Sequence, residues 1–530
     1  MNIALSPPNG SFRGRLMQTR AVAGRVRTLI AVGALILSGG AQAGKNSLPT
    51  VSGPIPVTAD SQIYGAADVP GASVYPDLAA HGYLEEEYFL SGKANVYGYD
   101  EHQSLVLKQR EVPYTTQLIV RKPKDPAAFS GNIQFEPMHP TYGLQPTWSA
   151  VHDYILRHGD AYVALGVGAD AVTRQIPPDS APLAAPFIVK WFDPRRYAAI
   201  QWPDEDGIRW DVIIQAGRLL RIQDRSNPLA GYNVEHIYAS GWSYTGSLWR
   251  TFINEGFDRD AHNGTAAVFD GYLIGMSAGT FIGGYLPINS STEVLPEDHP
   301  RRAMRPGGTP VIQLLSETDA LTNVEPQPRD SDEITAHRRL YEVGGISHGD
   351  GLYAGDITKA PVTLQLAVHG YPAGNRTLAP TGCDLHHSDV PMAHLAAAAL
   401  SNLDQWVRSN LPPPRTERVA IQRATGRSEH DDNGNAKGGV RVAQLEVPLA
   451  RYVPYEGNDR PACVSTARYL TLWRQPFDRA RLTSLYRNKE DYLGKFKMRL
   501  DRLVRERWIL AQDAEQELAA ARAVAREAFD

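Results

Sequence analysis

The feature that most constrains this chain is an alternation of short apolar runs with segments of helical periodicity. Thr116 to Val120, 131–136, Ala161 to Val167, His236 to Ser240, Ala266 to Ile274, Pro310 to Leu315 and Arg339 to Val343 read as strands. Thr147 to His158, Asp211 to Ile222, Tyr244 to Asn254 and Pro391 to Arg408 read as helices, with apolar residues returning at three- and four-residue intervals. Strands this short and apolar are covered on both faces. Alternating with helices, they predict an α/β architecture on a mostly parallel central sheet, with helices on both faces.

The two ends of the chain carry different signals. Arg13, Arg15, Arg20, Arg25 and Arg27 precede an apolar run from Leu29 to Leu37, and Ala41-Gln42-Ala43 has a small-x-small pattern. This predicts a signal peptide over 1–43, with an apolar run too short to span a bilayer, and so an exported protein, periplasmic or secreted. No later stretch has ~18 consecutive apolar residues, so no membrane span is expected in the mature chain. Residues 44–410 form the α/β unit, interrupted by a Pro- and aromatic-rich loop insertion around 171–208. Residues 411–530 form an extension packed on it, β-rich over 411–463 and then two helices within 478–530. Leu493, Phe496, Leu500, Leu503 and Val504 make an apolar stripe there that reads as core. With a net charge of −4, nothing points to a nucleic-acid partner. Cys383 and Cys463 are either a disulfide or two separate thiols, because spacing does not say whether the sulfurs meet.

Chemistry concentrates where strands end. Gly241-Trp242-Ser243-Tyr244-Thr245-Gly246 lies between a strand and a helix, the placement that lifts a nucleophilic serine clear of a sheet. Thr245 stands where the usual pattern has glycine, and an N-cap serine is the plain alternative. The strand to Leu315 runs into Ser316-Glu317-Thr318-Asp319, and the next into Gly344-Gly345-Ile346-Ser347-His348. Nucleophile, acid and base then follow in the order this chemistry uses, each at a strand exit. Ser243 is the expected nucleophile and His348 the base. Asp319 or Glu317 is the acid: Asp319 sits at the usual distance past the strand, and Glu317 lies nearer its end. His386 and His387 compete for the base from a loop-like neighbourhood.

An oxyanion site needs backbone N–H groups, one from the residue after the nucleophile and one from the loop after an earlier strand. These are Tyr244 and His139, since the neighbouring Pro140 has no N–H. Trp148, Trp191, Phe192, Trp202 and Trp242 either line a substrate pocket or pack in the core. Asp431 to Asn435 resembles a calcium loop but lacks its closing Glu and reads as a turn. No metal or cofactor is expected.

The stretches "FSGNIQFEPMHP", "FDPRRYAAIQWP", "DVIIQAGRLLR", "ASGWSYTGSLWRTFINEGF", "PVIQLLSETDAL", "LYEVGGISHGD" and "DDNGNAKGGVRVAQLEVPLARY" resemble the bacterial family of alpha/beta hydrolase domain-containing proteins, secreted serine hydrolases without a defined substrate. The resemblance runs from about residue 110 into the C-terminal helices. It implies an α/β-hydrolase fold, with Ser243, the Glu317/Asp319 pair and His348 in the catalytic positions. The family pattern has Gln-Ser-Gly where this chain has Tyr244-Thr245-Gly246, and more often Asn where His139 stands. The expected reaction is cleavage of a small-molecule carboxylic ester through an acyl-enzyme. A peptidase or amidase on the same residues, or an inactive fold used as a binding module, are the other readings. The last predicts a lost catalytic residue, and none is lost.

Overall fold

The computed structural model describes residues 48–67, 77–140, 143–168, 189–260, 268–278, 286–289, 296, 299–305, 307–322, 330–349, 386–422, 425–453 and 472–530. The leader over 1–43, Cys383, Cys463, residues 171–188 of the insertion and the Trp191 side chain lie outside the described residues.

Nine strands form the main sheet: β1 (Thr50–Ser52), β2 (Tyr83–Tyr99), β3 (Leu105–Pro123), β4 (Asn132–Pro137), β5 (Ala161–Leu165), β6 (His236–Trp242), β7 (Gly271–Gly275), β8 (Val311–Ser316) and β9 (Arg338–Val343). Their order across the sheet is β1-β2-β3-β5-β4-β6-β7-β8-β9. From β5 to the β9 edge every pairing is parallel, while β1, β2 and β3 pair antiparallel, as does β3 with β5. The parallel strands are buried along nearly their whole length, as in Ala161-Tyr162-Val163-Ala164-Leu165. Burying each large apolar side chain there contributes roughly 1.5–3 kcal/mol.

The expected helices are present as α1 (Pro146–His158), α2 (Arg209–Arg221), α3 (Tyr244–Asn254) and, after the short α4 (Glu317–Thr322), α5 (Met392–Ser409). The chain is an α/β fold with a large, mostly parallel sheet flanked by helices. Two expectations are corrected. The hairpin of β2 and β3, 17 and 19 residues long, extends far beyond the strand read over 116–120. Much of its outer half is charged and partly exposed, so no continuous apolar run marks it. The C-terminal segment contains three helices, not two: α6 (Arg479–Leu485), α7 (Lys489–Arg505) and α8 (Ala511–Phe529). Asp478 and Asn488 cap α6 and α7 by accepting from Arg481 N and Asp491 N, which separates a short first helix from the second.

The stripe on α7 behaves as core: Phe496, Leu500 and Leu503 are buried, with Leu493 and Val504 half-buried beside them. The segment after α5 holds little regular strand, only Ile421–Gln422, Arg427–Ser428 and Ala450–Val453 before Trp473–Pro476. No helix among the described residues is long and apolar enough to cross a membrane.

Candidate active site

Parallel strands deliver their C-terminal ends to one edge of a sheet, and ligands of such folds gather there. At the end of β6 the backbone of Ser243 takes φ 55° and ψ −116°, a conformation a non-glycine residue keeps only when its surroundings impose it. Two glycines explain how the turn fits. A Cβ on Gly241 would lie 2.6 Å from Thr245 O, and one on Gly246 would lie 2.8 Å from Ser277 Cβ and 2.9 Å from Gly275 O. The second close approach falls at 246, so glycine is required there and not at 245. Thr245 has its own use: its Oγ1 accepts from Trp242 N at 2.9 Å and donates to Trp242 O at 3.0 Å, latching the elbow.

Ser243 occupies the N-cap position of α3, yet its side chain makes no capping bond. Ser243 Oγ instead lies 3.0 Å from His348 Nε2, and His348 Nδ1 lies 2.7 Å from Asp319 Oδ1. Asp319 stands in α4, which continues directly from β8. Ser316 Oγ donates to Asp319 Oδ2 at 2.6 Å and Ser316 N to the same oxygen at 3.2 Å, fixing the carboxylate plane. Thr318 Oγ1 accepts from His348 N at 2.9 Å, which ties the histidine loop to the same turn. His348 and Asp319 are buried while Ser243 is half-buried, so the serine is the accessible end of this chain of bonds.

Glu317 is not on the imidazole. Its Oε2 accepts from Gly345 N at 2.7 Å and its Oε1 from Ser428 Oγ at 2.5 Å. Burial raises its pKa, with the Ser428 and Gly345 bonds acting against the rise. This carboxyl pins the turn before His348 to the segment at Ser428. His386 and His387 also stand apart. They are exposed in a short strand pairing with Trp473 and Arg474, and the His387 ring packs 4.9 Å from Trp473.

One oxyanion expectation is corrected. Tyr244 N lies in the first turn of α3, where helix amides point outward and the dipole favours negative charge. His139 N, however, donates to Leu144 O at 2.9 Å and closes the loop after β4, so this amide does not serve as a second oxyanion donor. The His139 ring is buried 6.0 Å from the Tyr244 ring. Burial holds its pKa down to about 3, with His348 adding to the effect, so the ring is neutral near pH 7.

Sequence reasoning missed Glu136, at the end of β4. Its carboxyl accepts from Thr147 N at 2.9 Å and from the Tyr162 hydroxyl at 2.5 Å, capping α1 from within the core. Burial pushes it up to about 7, with the Tyr162 and Thr147 bonds opposing. Thr147 Oγ1 in turn accepts from Trp242 Nε1 at 3.0 Å, so the first turn of α1 and the elbow are braced together. The sequence carries only a weak signal, because Asn132, Gln134 and Glu136 alternate with apolar residues through β4 as in a half-exposed strand, whereas all six residues are buried and a buried carboxylate is rarely without partners. Also unforeseen, buried Arg209 donates through Nη1 to the Tyr244 hydroxyl at 2.9 Å.

Trp148, Phe192, Trp202 and Trp242 are all buried and pack in the core. Asp431 accepts from Asn433 N at 2.9 Å and Asn435 N at 3.0 Å, which makes that segment a turn. Among the described residues no group of three or more His, Cys, Asp or Glu side chains is placed to hold a metal ion.

A strained serine between strand and helix, backed by a carboxylate and an imidazole from the exits of two later strands, β8 and β9, is the arrangement of an α/β-hydrolase site. The profile of the alpha/beta hydrolase domain family matches residues 51–519, and the chain belongs to that family. Among solved structures it is similar to a mutant of the esterase rPPE (12% identity, 56% of this chain and 84% of that one, TM-score 0.29). It is also similar to an alpha-beta serine hydrolase homologue from Coxiella burnetii (10%, 48% and 90%, TM-score 0.25) and to an esterase from Pyrobaculum calidifontis (8%, 54% and 86%, TM-score 0.26). The chain matches none of the curated proteins compared with it.

Proposed function

We propose that this protein is an exported serine hydrolase that cleaves carboxylic esters. The observation that carries this reading is the continuous chain of hydrogen bonds from Ser243 Oγ through His348 to Asp319. Neutral His348 takes the Ser243 proton on Nε2 while Oγ attacks the ester carbonyl carbon. The Nδ1–H bond to Asp319 keeps that tautomer and stabilises the imidazolium. The negative charge on the carbonyl oxygen rests on Tyr244 N–H and the positive end of α3. As the C–O bond to the leaving group breaks, His348 returns the proton to the departing alcohol. Water then gives a proton to His348 and attacks the acyl carbon, and the acid leaves as Ser243 recovers its proton.

The half-buried Ser243 at the mouth of the chain supports a small-molecule substrate. Export rests on the arginine-rich leader and the Ala41-Gln42-Ala43 pattern.

The test is covalent labelling by a fluorophosphonate probe of the purified protein beside Ser243→Ala, followed by hydrolysis of p-nitrophenyl acetate. Labelling and turnover that both vanish in the variant are the expected result. A folded wild type that stays unlabelled, or a variant that still labels, overturns the assignment.

A further inference from the structure

The elbow and α3 are closed along nearly their whole length. From Gly241 to Asn254 every residue is buried except Ser243 and Tyr244, which are half-buried. A substrate that reaches the serine along this helix therefore meets the Tyr244 side chain as well. Trp148, Phe192, Trp202 and Trp242 are taken up by the core, and Tyr244 instead presents aromatic surface beside the nucleophile.

This tyrosine is held at both ends. Its hydroxyl accepts from Arg209 Nη1 at 2.9 Å, and its ring stands edge-on to the His139 ring, with centroids 6.0 Å apart. Arg209 is fixed in turn. Its Nε donates to Asp206 O at 2.9 Å, and its Nη2 pairs with the Asp206 carboxylate. Burying a guanidinium is costly unless it is paired and hydrogen-bonded, and Arg209 is only 2% exposed. This buried ion pair ends on the hydroxyl of a half-open ring next to the serine, so what it immobilises is a surface that a substrate can touch.

The corner is also electrically matched. Asp206 balances Arg209, and burial keeps the His139 ring neutral near pH 7. A rigid aromatic face of this kind offers stacked or edge-to-face contact to a flat apolar group and no counter-charge to an ionic one. The acyl part of an ester is the part held closest to it, because its carbon bonds to Ser243 Oγ while its oxygen rests on Tyr244 N–H.

We propose that Tyr244, clamped by Arg209, sets the acyl specificity of this site for esters of aromatic carboxylic acids. The inference rests on the ester-hydrolase reading. Tyr244 is the wall on which the acyl ring packs, and Arg209 is a positioning residue that acts through it.

The experiment measures kcat/KM of the purified protein for p-nitrophenyl benzoate and for p-nitrophenyl acetate, which share a leaving group, and takes their ratio. The ratio is expected to fall about tenfold in Tyr244→Ala, which removes the ring. Tyr244→Phe and Arg209→Met keep the ring and cut the clamp, and each should lower the ratio about threefold, with no further loss when they are combined, since both remove the same bond. Tyr244→Phe leaves the Arg209–Asp206 pair intact and reads the clamp even where Arg209→Met does not fold. A merely structural role would slow both esters alike, so an unmoved ratio in Tyr244→Ala overturns the aromatic assignment. A ratio that falls in Tyr244→Ala but not in Tyr244→Phe, or clamp losses that add, overturns the role of Arg209. Wild-type protein that turns over neither ester overturns the ester-hydrolase reading and this inference with it, whereas acetate turnover with an unmoved ratio overturns the inference alone.

Discussion

The two halves of the main sheet handle charge in opposite ways. In the parallel half, the side chains at the strand exits include Ser243, Asp319 and His348, linked in a line with one accessible end. Beside the antiparallel hairpin, charges are matched and sealed. Glu87 of β2 accepts from Arg196 Nε at 2.6 Å, Tyr197 OH at 2.8 Å and Gln117, and Arg121 of β3 meets Glu85 at 2.6 Å. The cause is topological. Parallel strands point the same way and bring their ends to one edge, whereas a hairpin returns on itself and offers no shared edge. A charge in the parallel half can therefore meet a substrate, while one beneath the hairpin serves packing.

The sharpest way to break this comparison is inside the parallel half. Asp319→Asn is expected to lower kcat about 10⁴-fold by disturbing the His348 tautomer. Glu317→Gln, two residues away, should leave kcat within about tenfold and cost about 1–3 kcal/mol, because an amide cannot accept from both Gly345 N and Ser428 Oγ. Ester-hydrolysis kinetics and denaturant unfolding on both variants check this. Equal losses of kcat would dissolve the distinction between the two carboxyls.

On the hairpin side the expectation reverses. Arg196→Ala should destabilise by about 3–5 kcal/mol, since it leaves the Glu87 carboxylate buried without its ion partner. The kcat of the fraction that stays folded should hardly change. Urea unfolding together with active-site titration by a fluorophosphonate separates the two quantities. A large loss of kcat per labelled site would show that the hairpin participates in chemistry.

A smaller effect sharpens the boundary at β4. The Glu136 carboxyl keeps its proton up to about 7 in the folded protein, against an ordinary value of 4.5. The folded state therefore holds a proton that the unfolded state has released, and its contribution is lost as pH rises from about 4.5 to about 7. The loss is about 3 kcal/mol. Glu136→Gln, which has no proton to lose, should flatten that part of the stability–pH curve. Thermal unfolding across that window reads the slope, and an unchanged slope would assign it to other groups.

How much was legible followed from how local each feature is. The strand-and-helix alternation, the elbow at Ser243 and the strand exits before Asp319 and His348 are written in consecutive residues, because period and turn chemistry act over a few positions. The length of the β2–β3 hairpin was not, because its outer half mixes exposed and charged side chains that carry no single period. The capped break between α6 and α7 is marked in the sequence only by Asp478 and Asn488, single polar residues among many.

The chain by itself determined which residues reach the working edge of the sheet and in what order. Only the tertiary structure decided which carboxyl meets the imidazole, that the His139 amide is taken by Leu144, and that Gly246 rather than residue 245 must be glycine. Each of these depends on distances between segments far apart in sequence, and hydrogen bonds and close contacts are settled within a few tenths of an ångström that no pattern of residue types specifies.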